Sequence, residues 1–288
     1  MFVSGFTFIR NAIKYDYPAE ASIRSLLPLV DELVVCLGNS DDDTEGLIRR
    51  INDPKIRIVH SVWDDSLREG GRVLAVETNK ALDHIDRKAD WCFYLQADEV
   101  IHEDDYSSIR NAMSAHLEDK RVEGLLFEYV HFYGSYEYFG NSRRWYRHEI
   151  RIVRNDPGVR SFRDAQGFRI HDRIMNVKPA NARIFHYGWV KDPLHQLEKQ
   201  KSFHKMWHSD EKVEQMVQET PFDYSGIDSL EIFKGSHPAA MTERINSMDW
   251  HFKFDTGRKK LTLKNRILML LEQKTGKRFF EYKNYRLI

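Results

Sequence analysis

The stretch WCFYLQADEV, residues 91–100, decides how the rest of the chain is interpreted. It begins with a run of apolar and aromatic residues, which is typical of a strand buried on both faces. The run ends in the carboxylates Asp98 and Glu99. Because ligands of open α/β sheets bind beyond the carboxyl ends of the strands, we expect these side chains where chemistry takes place. The alternative is a solvated strand end that happens to be acidic.

The composition is that of an ordinary globular protein. The chain has 288 residues, of which 41% are hydrophobic and 31% charged, enough for one large domain with an extension or for two modest domains. Lys plus Arg and Asp plus Glu both number 44. The protein therefore has no overall field that would attract nucleic acid, and we expect no nucleic-acid partner.

Several features favour a cytoplasmic protein. No apolar run approaches the roughly 20 residues needed to span a bilayer. The first residues lead straight into a predicted strand, without the pattern of a signal peptide. Cys36 and Cys92 both lie in predicted buried strands, which suits free thiols in a reducing compartment.

Strands and helices alternate along the N-terminal half. Apolar runs of strand length lie at residues 2–9, 32–37, 56–59 and 91–95, and the intervening segments carry apolar residues at helical spacing. This alternation predicts βαβ units and an α/β fold with a mostly parallel central sheet flanked by helices. No Gly-x-Gly-x-x-Gly follows the first strand and no Walker motif occurs, so the two commonest nucleotide-binding types are not indicated.

The loops after the second and fourth strands are both acidic. Asp41, Asp42 and Asp43 follow the second strand, and Asp98 follows the fourth. Carboxylates repel a nucleoside diphosphate unless a divalent cation lies between them, and Asp oxygens suit Mg²⁺ or Mn²⁺. The aspartates at 41–43 are equally consistent with a turn and a helix N-cap.

Together these features resemble the glycosyltransferase family 2 group of nucleotide-sugar enzymes, which adopt the GT-A (Rossmann-like) fold. The resemblance covers roughly residues 1–190, which would form the transferase domain. It is carried by Arg10-Asn11 after the first strand, Ser40-Asp41-Asp42-Asp43-Thr44 after the second, the Gly-rich turn at 68–72 with Asn79, and Leu95-Gln96-Ala97-Asp98-Glu99, which is similar to the family's Leu-Asp-Ala-Asp-Glu metal motif.

The resemblance implies a nucleotide-sugar donor and a divalent cation, Mn²⁺ or Mg²⁺. Asp98 would ligate the cation, assisted by His186, although a lone His at a strand end is more often structural. Gln96 stands where the family usually has Asp and brings no charge to a cation. The donor-binding residues would be Arg10, Asn11, Ser40, Asp42, Asn79, Gln96 and Ala97, together with Arg151 from a locally basic stretch.

An inverting transferase needs a carboxylate to take the proton of the acceptor hydroxyl. Asp172, after His171, stands where the branch of the family that resembles surface-glycan transferases has the acidic residue of a His-Glu pair, and it is the expected base. Asp164 is the reserve candidate. An ion pair of Asp172 with Arg169 or Arg173 is the structural alternative.

Residues 191–288 are expected to form a mainly helical extension that packs on the core or covers the acceptor side. Asp192-Pro193 is a clean helix start. Near the C-terminus, Leu263, Ile267, Leu270 and Leu271 share a helical face flanked by lysines. Packing on the core and a peripheral contact with the inner face of a membrane both remain open for this segment.

The sequence therefore predicts a glycosyltransferase that moves a sugar, of hexosyltransferase type, from a nucleotide donor to an acceptor hydroxyl, with inversion and with a metal ion. The resemblance implies a glycan or lipid-linked acceptor and a role in surface glycan or polysaccharide synthesis. A nucleotidyltransferase and a non-catalytic nucleotide-sugar-binding relative are the alternatives.

Overall fold

The computed structural model describes residues 1–67, 70–216 and 220–288. Arg68 and Glu69, at the start of the Gly-rich turn, lie outside these ranges. The strands are β1 (Val3–Ile9), β2 (Glu32–Gly38), β3 (Ile56–Ser61), β4 (Trp91–Tyr94), β5 (Glu99–Ile101), β6 (Gly124–Tyr133), β7 (Ser135–Gly140), β8 (His148–Arg154), β9 (Val159–Phe162), β10 (Gly167–Ile170), β11 (Met175–Trp189), β12 (Leu230–Ile232) and β13 (Tyr285–Leu287). The helices are α1 (Ala19–Leu26), α2 (Thr44–Arg50), α3 (Arg72–Asp83), α4 (Tyr106–Ala115), α5 (Pro193–Lys205), α6 (Asp210–Met216), α7 (Thr242–Asn246) and α8 (Leu263–Thr275).

The N-terminal strands form a parallel unit in the order β3-β2-β1-β4. The residues of β4 are fully buried because they are apolar on both faces of the sheet. Side chains of α1, α2 and α4 pack on one face of this unit, and side chains of α3 pack on the other. The predicted α/β class and the helix-flanked parallel centre are confirmed.

Beyond β4 the sheet becomes mixed. β8 lies antiparallel between β4 and β6, and β6 in turn pairs in parallel with the long strand β11. β5, which begins directly after Asp98, runs antiparallel to β11 so that Glu99 lies opposite His186. This pairing brings the acidic end of the opening stretch and the late histidine to the same place.

The C-terminal region contributes helices and two short strands. β12 pairs with β7 and β13 pairs with β11, so the expected helical extension also adds to the sheet. Asp192 caps α5, as predicted, by accepting a hydrogen bond from the Leu194 amide at 2.8 Å. None of the helices in the described ranges is long and apolar enough to span a bilayer.

Candidate active site

A cavity of about 970 Å³ opens at the carboxyl ends of β1 and β4. Its wall includes Arg10 and Asn11 after β1, and Gln96, Ala97 and Asp98 after β4. The end of β11 and the helix α5 close the opposite side. The cavity thus lies at the edge of a parallel sheet where α/β proteins bind their ligands.

Asp98 and Lys199 form an ion pair in the cavity wall. The Nζ of Lys199 lies 3.1 Å from Oδ2 of Asp98, and the two side chains are 14% and 13% exposed. Burial opposes ionisation of the carboxyl, but the charges of Lys199 and His186 outweigh it and hold the pKa of Asp98 well below its usual range. Asp98 is therefore a carboxylate at neutral pH.

His186 presents one ring nitrogen to the same carboxylate. Its Nε2 lies 3.7 Å from Oδ2 of Asp98, and its Nδ1 lies 3.1 Å from Nδ1 of His131. The Nε2 of His131 contacts the Tyr146 carbonyl at 2.8 Å, and a carbonyl can only accept. Since burial, followed by the charge of His186, holds the pKa of His131 well below its usual range, His131 is neutral and its Nδ1 accepts from His186. His186 is thus oriented with Nε2 toward Asp98.

Gln96 connects the loop after β4 to the turn between β9 and β10. Its Nε2 donates to the hydroxyl of Tyr94 and to the carbonyl of Ala165, each at 3.3 Å. The backbone N–H of Gln96 also donates to Oε2 of Glu99 at 3.1 Å. The residue that replaces the expected Asp therefore acts as a hydrogen-bond donor between two loops.

The turn that contains Asp164 has unusual backbone geometry. Arg163 and Ala165, on either side of Asp164, both have positive φ, at 56° and 61°. Such strained non-glycine residues are held in place by their surroundings, here by the hydrogen bonds of Gln96 to Ala165 and of Arg151 to the Gln166 carbonyl. Burial raises the pKa of Asp164, which is one of the residues that line the cavity. A raised pKa makes its carboxylate a stronger base, which suits proton transfer.

Asp172 does not line the cavity. It lies in an exposed turn after β10, next to His171, and it has a positive φ of 61°. Of the two base candidates, the structure therefore brings only Asp164 to the ligand side of the sheet. Asp164 reaches the cavity because the hairpin of β9 and β10 directs its own turn toward it, whereas Asp172 lies in the turn that follows β10. The role of a base stays a prediction for either residue.

Arg151 is also away from the cavity wall. It is fully buried and forms a two-pronged ion pair with Glu99, with nitrogen–oxygen distances of 2.8 and 2.7 Å. Tyr129 donates a further hydrogen bond to Glu99 at 2.7 Å. Glu99, expected at a strand tip, is thus part of the core, and Arg151 has a local partner in place of a donor phosphate.

Several residues that were predicted to bind the nucleotide-sugar donor form hydrogen bonds between neighbouring loops. Asn11 accepts from the Asp41 amide at 2.7 Å, and Ser40 accepts from the Asn11 amide at 3.0 Å. Asp42 accepts from the Lys14 amide at 2.7 Å, and Asn79 accepts from the Ser161 amide at 2.8 Å. Ser40, Asp42 and Asn79 are not part of the cavity wall, whereas Asn11 is.

The acidic triplet after β2 divides between two roles. Asp43 caps α2 by accepting from the Gly46 amide, and Asp42 accepts from both the backbone and the side chain of Thr44. Asp41 lines the cavity rim and pairs with Lys14 at 3.2 Å. The prediction of a helix cap is confirmed for Asp43.

Asp98, His186 and Gln96, in the positions that they have in this structure, do not form a suitable site for a divalent cation. An ion held by Asp98 and His186 would share Oδ2 of Asp98 with the ammonium group of Lys199. The side-chain amide nitrogen of Gln96 donates elsewhere and adds no charge. Within the ranges that the structure describes, no group of three or more His, Cys, Asp or Glu residues is arranged to hold a metal.

Lys199 and Trp63 also line the cavity, and neither was among the predicted site residues. Trp63 lines the cavity beneath Arg10, whose guanidinium carbon lies 5.2 Å from the ring centroid. No spacing pattern marks either residue. The order Trp63-Asp64-Asp65 after β3, an aromatic residue next to carboxylates at a strand end, is the one local signal that could have drawn attention to Trp63.

The chain is only distantly similar to known proteins. No protein-family model and no curated protein matches the chain. Among solved structures, glucosyl-3-phosphoglycerate synthase from Mycobacterium tuberculosis in complex with Mn²⁺, uridine diphosphate and phosphoglyceric acid matches at 23% identity and a TM-score of 0.30, covering 46% of this chain and 43% of that one. The chain thus spans less than half the length of that synthase.

Two further structures show the same level of likeness. Residues 1–349 of S. aureus TarS match at 12% identity and a TM-score of 0.38, covering 75% of this chain and 69% of that one. A 4-diphosphocytidyl-2C-methyl-D-erythritol synthase from Anaerococcus prevotii matches at 12% identity and a TM-score of 0.33, covering 54% and 70%. The structure itself shows an α/β fold with a parallel β3-β2-β1-β4 unit and a cavity at the carboxyl edge of β1 and β4.

Proposed function

We propose that this protein is a glycosyltransferase that moves a sugar from a nucleoside diphosphate donor to an acceptor hydroxyl with inversion. One observation carries the proposal: a single cavity at the carboxyl edge of the sheet is lined by the Asp98–Lys199 pair, by His186 and by the half-buried carboxyl of Asp164. A cationic group suits a diphosphate, and a separate carboxyl with a raised pKa suits proton removal from a hydroxyl.

The cavity offers contacts for each part of such a donor. Arg10, which lies over the buried ring of Trp63 near the end of β1, provides a charge that suits a phosphate and a planar guanidinium that can stack on a nucleobase. Gln96 and Ala97 follow β4, and Lys199 lies beside them in the wall. Aromatic residues, among them Trp189, supply apolar faces for a sugar ring on the other side.

In the proposed reaction Asp164 acts as the general base. The acceptor hydroxyl gives its proton to the Asp164 carboxylate while its oxygen attacks the anomeric carbon of the donor. The new carbon–oxygen bond forms as the bond from that carbon to the diphosphate breaks, and the electron pair leaves with the nucleoside diphosphate. Attack opposite the leaving group inverts the anomeric configuration.

The proposal is tested by incubating the full chain with a panel of nucleotide sugars and candidate acceptors and measuring the release of nucleoside diphosphate. We expect release with at least one donor, increased by an acceptor. The nucleotidyltransferase alternative predicts release of pyrophosphate from a nucleoside triphosphate and a sugar phosphate. A non-catalytic relative would bind a nucleotide sugar and release nothing.

For the acceptor we propose a glycan or lipid-linked molecule of surface glycan or polysaccharide synthesis, reached in the cytoplasm at an anionic membrane surface. The support is the face of α8 that carries Leu263, Ile267 and Leu270, which are 75%, 51% and 57% exposed. Lys264 and Lys274 on the same helix supply charge complementary to anionic lipid. The opposite side of α8 is fixed to the core through Glu272, which pairs with Arg143 at 2.8 Å.

Sedimentation with vesicles tests this contact. The chain should pellet with vesicles that contain phosphatidylglycerol but not with pure phosphatidylcholine vesicles. The double variant Ile267→Ser/Leu270→Ser should remain in the supernatant, whereas Leu287→Ser, an exposed leucine in β13, should behave as the unaltered chain. Equal binding by all three proteins would refute the proposed contact.

A further inference from the structure

The ammonium group of Lys199 is held at a defined position in the cavity wall. Its Nζ donates to Oδ2 of Asp98 at 3.1 Å and to the carbonyl oxygen of Gly188 at 2.9 Å. It also lies 4.8 Å from the centre of the Tyr17 ring, within the range of a cation–π contact. The side chain is only 14% exposed, so water screens its charge less than it would at the surface.

The surrounding residues are shaped for this arrangement. A Cβ at position 188 would lie 2.6 Å from Oδ2 of Asp98 and 2.7 Å from Nε2 of His186. A side chain at position 188 would therefore displace the carboxylate and the imidazole from their present positions. Helix α5, which carries Lys199, is set in place by its Asp192 cap directly after β11.

This arrangement leaves little attraction for a divalent cation. Oδ2 of Asp98 is already occupied by Lys199, and Gln96 contributes no charge. Arg10 and Arg144 line the same cavity, and their positive charge disfavours a further cation. Mg²⁺ sheds its water reluctantly and is bound in proteins through carboxylates and substrate phosphates. An ion between Asp98 and His186 would therefore have to share Oδ2 of Asp98 with the ammonium group, which repels it.

A lysine ammonium group has three N–H donors and acts as a compact point charge for phosphate. The Asp98 carboxylate and the Gly188 carbonyl take two of these donors. Among the described residues Nζ has no third hydrogen-bond acceptor, and Lys199 is a lining residue of the cavity, so a ligand oxygen could accept the third hydrogen bond. The guanidinium of Arg144 lines the same cavity and adds positive charge.

We propose that Lys199, and not a divalent cation, is the positive group that binds the diphosphate of the donor, so that donor binding and transfer proceed without a metal ion. The identity of the ligand as a nucleoside diphosphate rests on the proposed function. As the bond to the anomeric carbon breaks, the leaving diphosphate gains negative charge, which the ammonium group of Lys199 stabilises without transferring a proton.

Titration calorimetry on the full chain, freed of metals with EDTA, tests this proposal with UDP, GDP, ADP and CDP as probes. We expect at least one of them to bind in EDTA with an affinity that added Mn²⁺ changes less than threefold. Lys199→Met should weaken that binding at least tenfold, and Lys199→Arg should restore most of it because the charge is kept. Binding that requires Mn²⁺, or equal binding by Lys199→Met, would overturn the inference.

Lys201→Met is the matched control. Lys201 lies on the same helix, pairs with Glu198 at 3.5 Å and is not part of the cavity wall. Its substitution should leave nucleotide binding unchanged. Thermal unfolding of each variant separates a lost contact from a lost fold, and the Arg variant retains the partner of Asp98 if removal of the charge destabilises the protein.

The outcomes distinguish this inference from the proposed function. Transfer of a sugar that depends on Mn²⁺ would overturn the role of Lys199 and leave the transferase in place. Metal-free binding of a nucleoside diphosphate that is lost in Lys199→Met, without transfer from any donor, would support the binding role and refute the transferase. Failure of every nucleoside diphosphate to bind, with or without Mn²⁺, would overturn both.

Discussion

The side-chain amide of Gln96 donates a hydrogen bond to the carbonyl oxygen of Ala165 at 3.3 Å. This contact joins the loop after β4 to the strained turn that presents Asp164 to the cavity. Gln96 therefore holds two loops together through this hydrogen bond. It positions the proposed base, and a carboxylate at position 96 could not donate the same hydrogen bond.

We accordingly expect Gln96→Glu to impair the reaction more than nucleotide binding. The variant keeps the size of the side chain but sets a carboxylate oxygen against the Ala165 carbonyl. Loss of the hydrogen bond and an unpaired acceptor correspond to about 1–3 kcal/mol, so kcat should fall about tenfold or more. Nucleoside diphosphate affinity should change less than about threefold. A kcat equal to that of the unaltered chain would contradict this role.

The two candidate bases are separated by a pair of matched variants. Asp164→Asn keeps the shape of a cavity-lining side chain but removes its basicity, and kcat should fall by about 10²–10⁴-fold with nucleotide binding retained. Asp172→Asn alters an exposed turn outside the cavity wall and should leave kcat within about twofold. Steady-state kinetics on both variants measure kcat. A large fall in kcat for Asp172→Asn with little change for Asp164→Asn would identify Asp172 as the base.

The buried pair of Glu99 and Arg151 should dominate local stability. Both side chains are 0% exposed, so Arg151→Met leaves a buried carboxylate without its partner and should lower the free energy of unfolding by about 3–5 kcal/mol. The double variant Glu99→Leu/Arg151→Met should lose less than the single variant. Arg121→Met, at an exposed pair with Asp119, serves as the control and should cost under about 1 kcal/mol.

Urea unfolding measures all three proteins. A loss below about 1 kcal/mol for Arg151→Met would show that the pair contributes no more than a surface ion pair. Since Arg151 also donates to the Gln166 carbonyl at 3.0 Å, a fall in kcat is expected to accompany the loss of stability.

Glu149 should make stability depend on pH. Burial, reinforced by the charges of Glu99 and Asp164 and opposed by Arg151, raises the pKa of Glu149 to about 8. Between its ordinary pKa of 4.5 and about 8, the folded protein holds a proton that the unfolded chain has released. Stability from this group is therefore present at low pH and is lost as the pH rises through 8.

The variant Glu149→Gln removes this titration while keeping the shape of the side chain. Urea unfolding of the unaltered chain should show the free energy of unfolding falling by about 1–3 kcal/mol from pH 6 to pH 8 through this group, and the variant should show a flatter profile. Parallel profiles for the two proteins would mean that Glu149 does not titrate in this range.

Much of the fold follows from local patterns. The apolar runs of β1, β2 and β4 indicate buried strands, because whether a side chain is apolar can be seen from the sequence without knowing its partners. Asp43 and Asp192 cap α2 and α5 through hydrogen bonds to amides two or three residues away. Such short-range contacts can be predicted from residue spacing alone. Once β4 is predicted as a strand of a parallel sheet, its carboxyl end is where α/β proteins bind ligands.

The composition of the site depends on contacts between distant residues. Asp98 and Lys199 are 101 residues apart, and they meet because α5 returns over the sheet edge after β11. Glu99 becomes a buried residue because β8 brings Arg151 against it across an interval of 52 residues. Asp164 rather than Asp172 reaches the cavity because of the hairpin formed by β9 and β10.

The sequence alone thus determined the α/β class, the order of the N-terminal strands and the edge of the sheet at which the cavity opens, since these depend on hydrophobic periodicity and local hydrogen bonds. Only the tertiary structure decided which charges surround that place. Long-range ion pairs have no signature in spacing, because their partners are selected by the packing of whole strands and helices. The stretch at 91–100 indicated where the site lies, and α5, β8 and the β9–β10 hairpin determined what it contains.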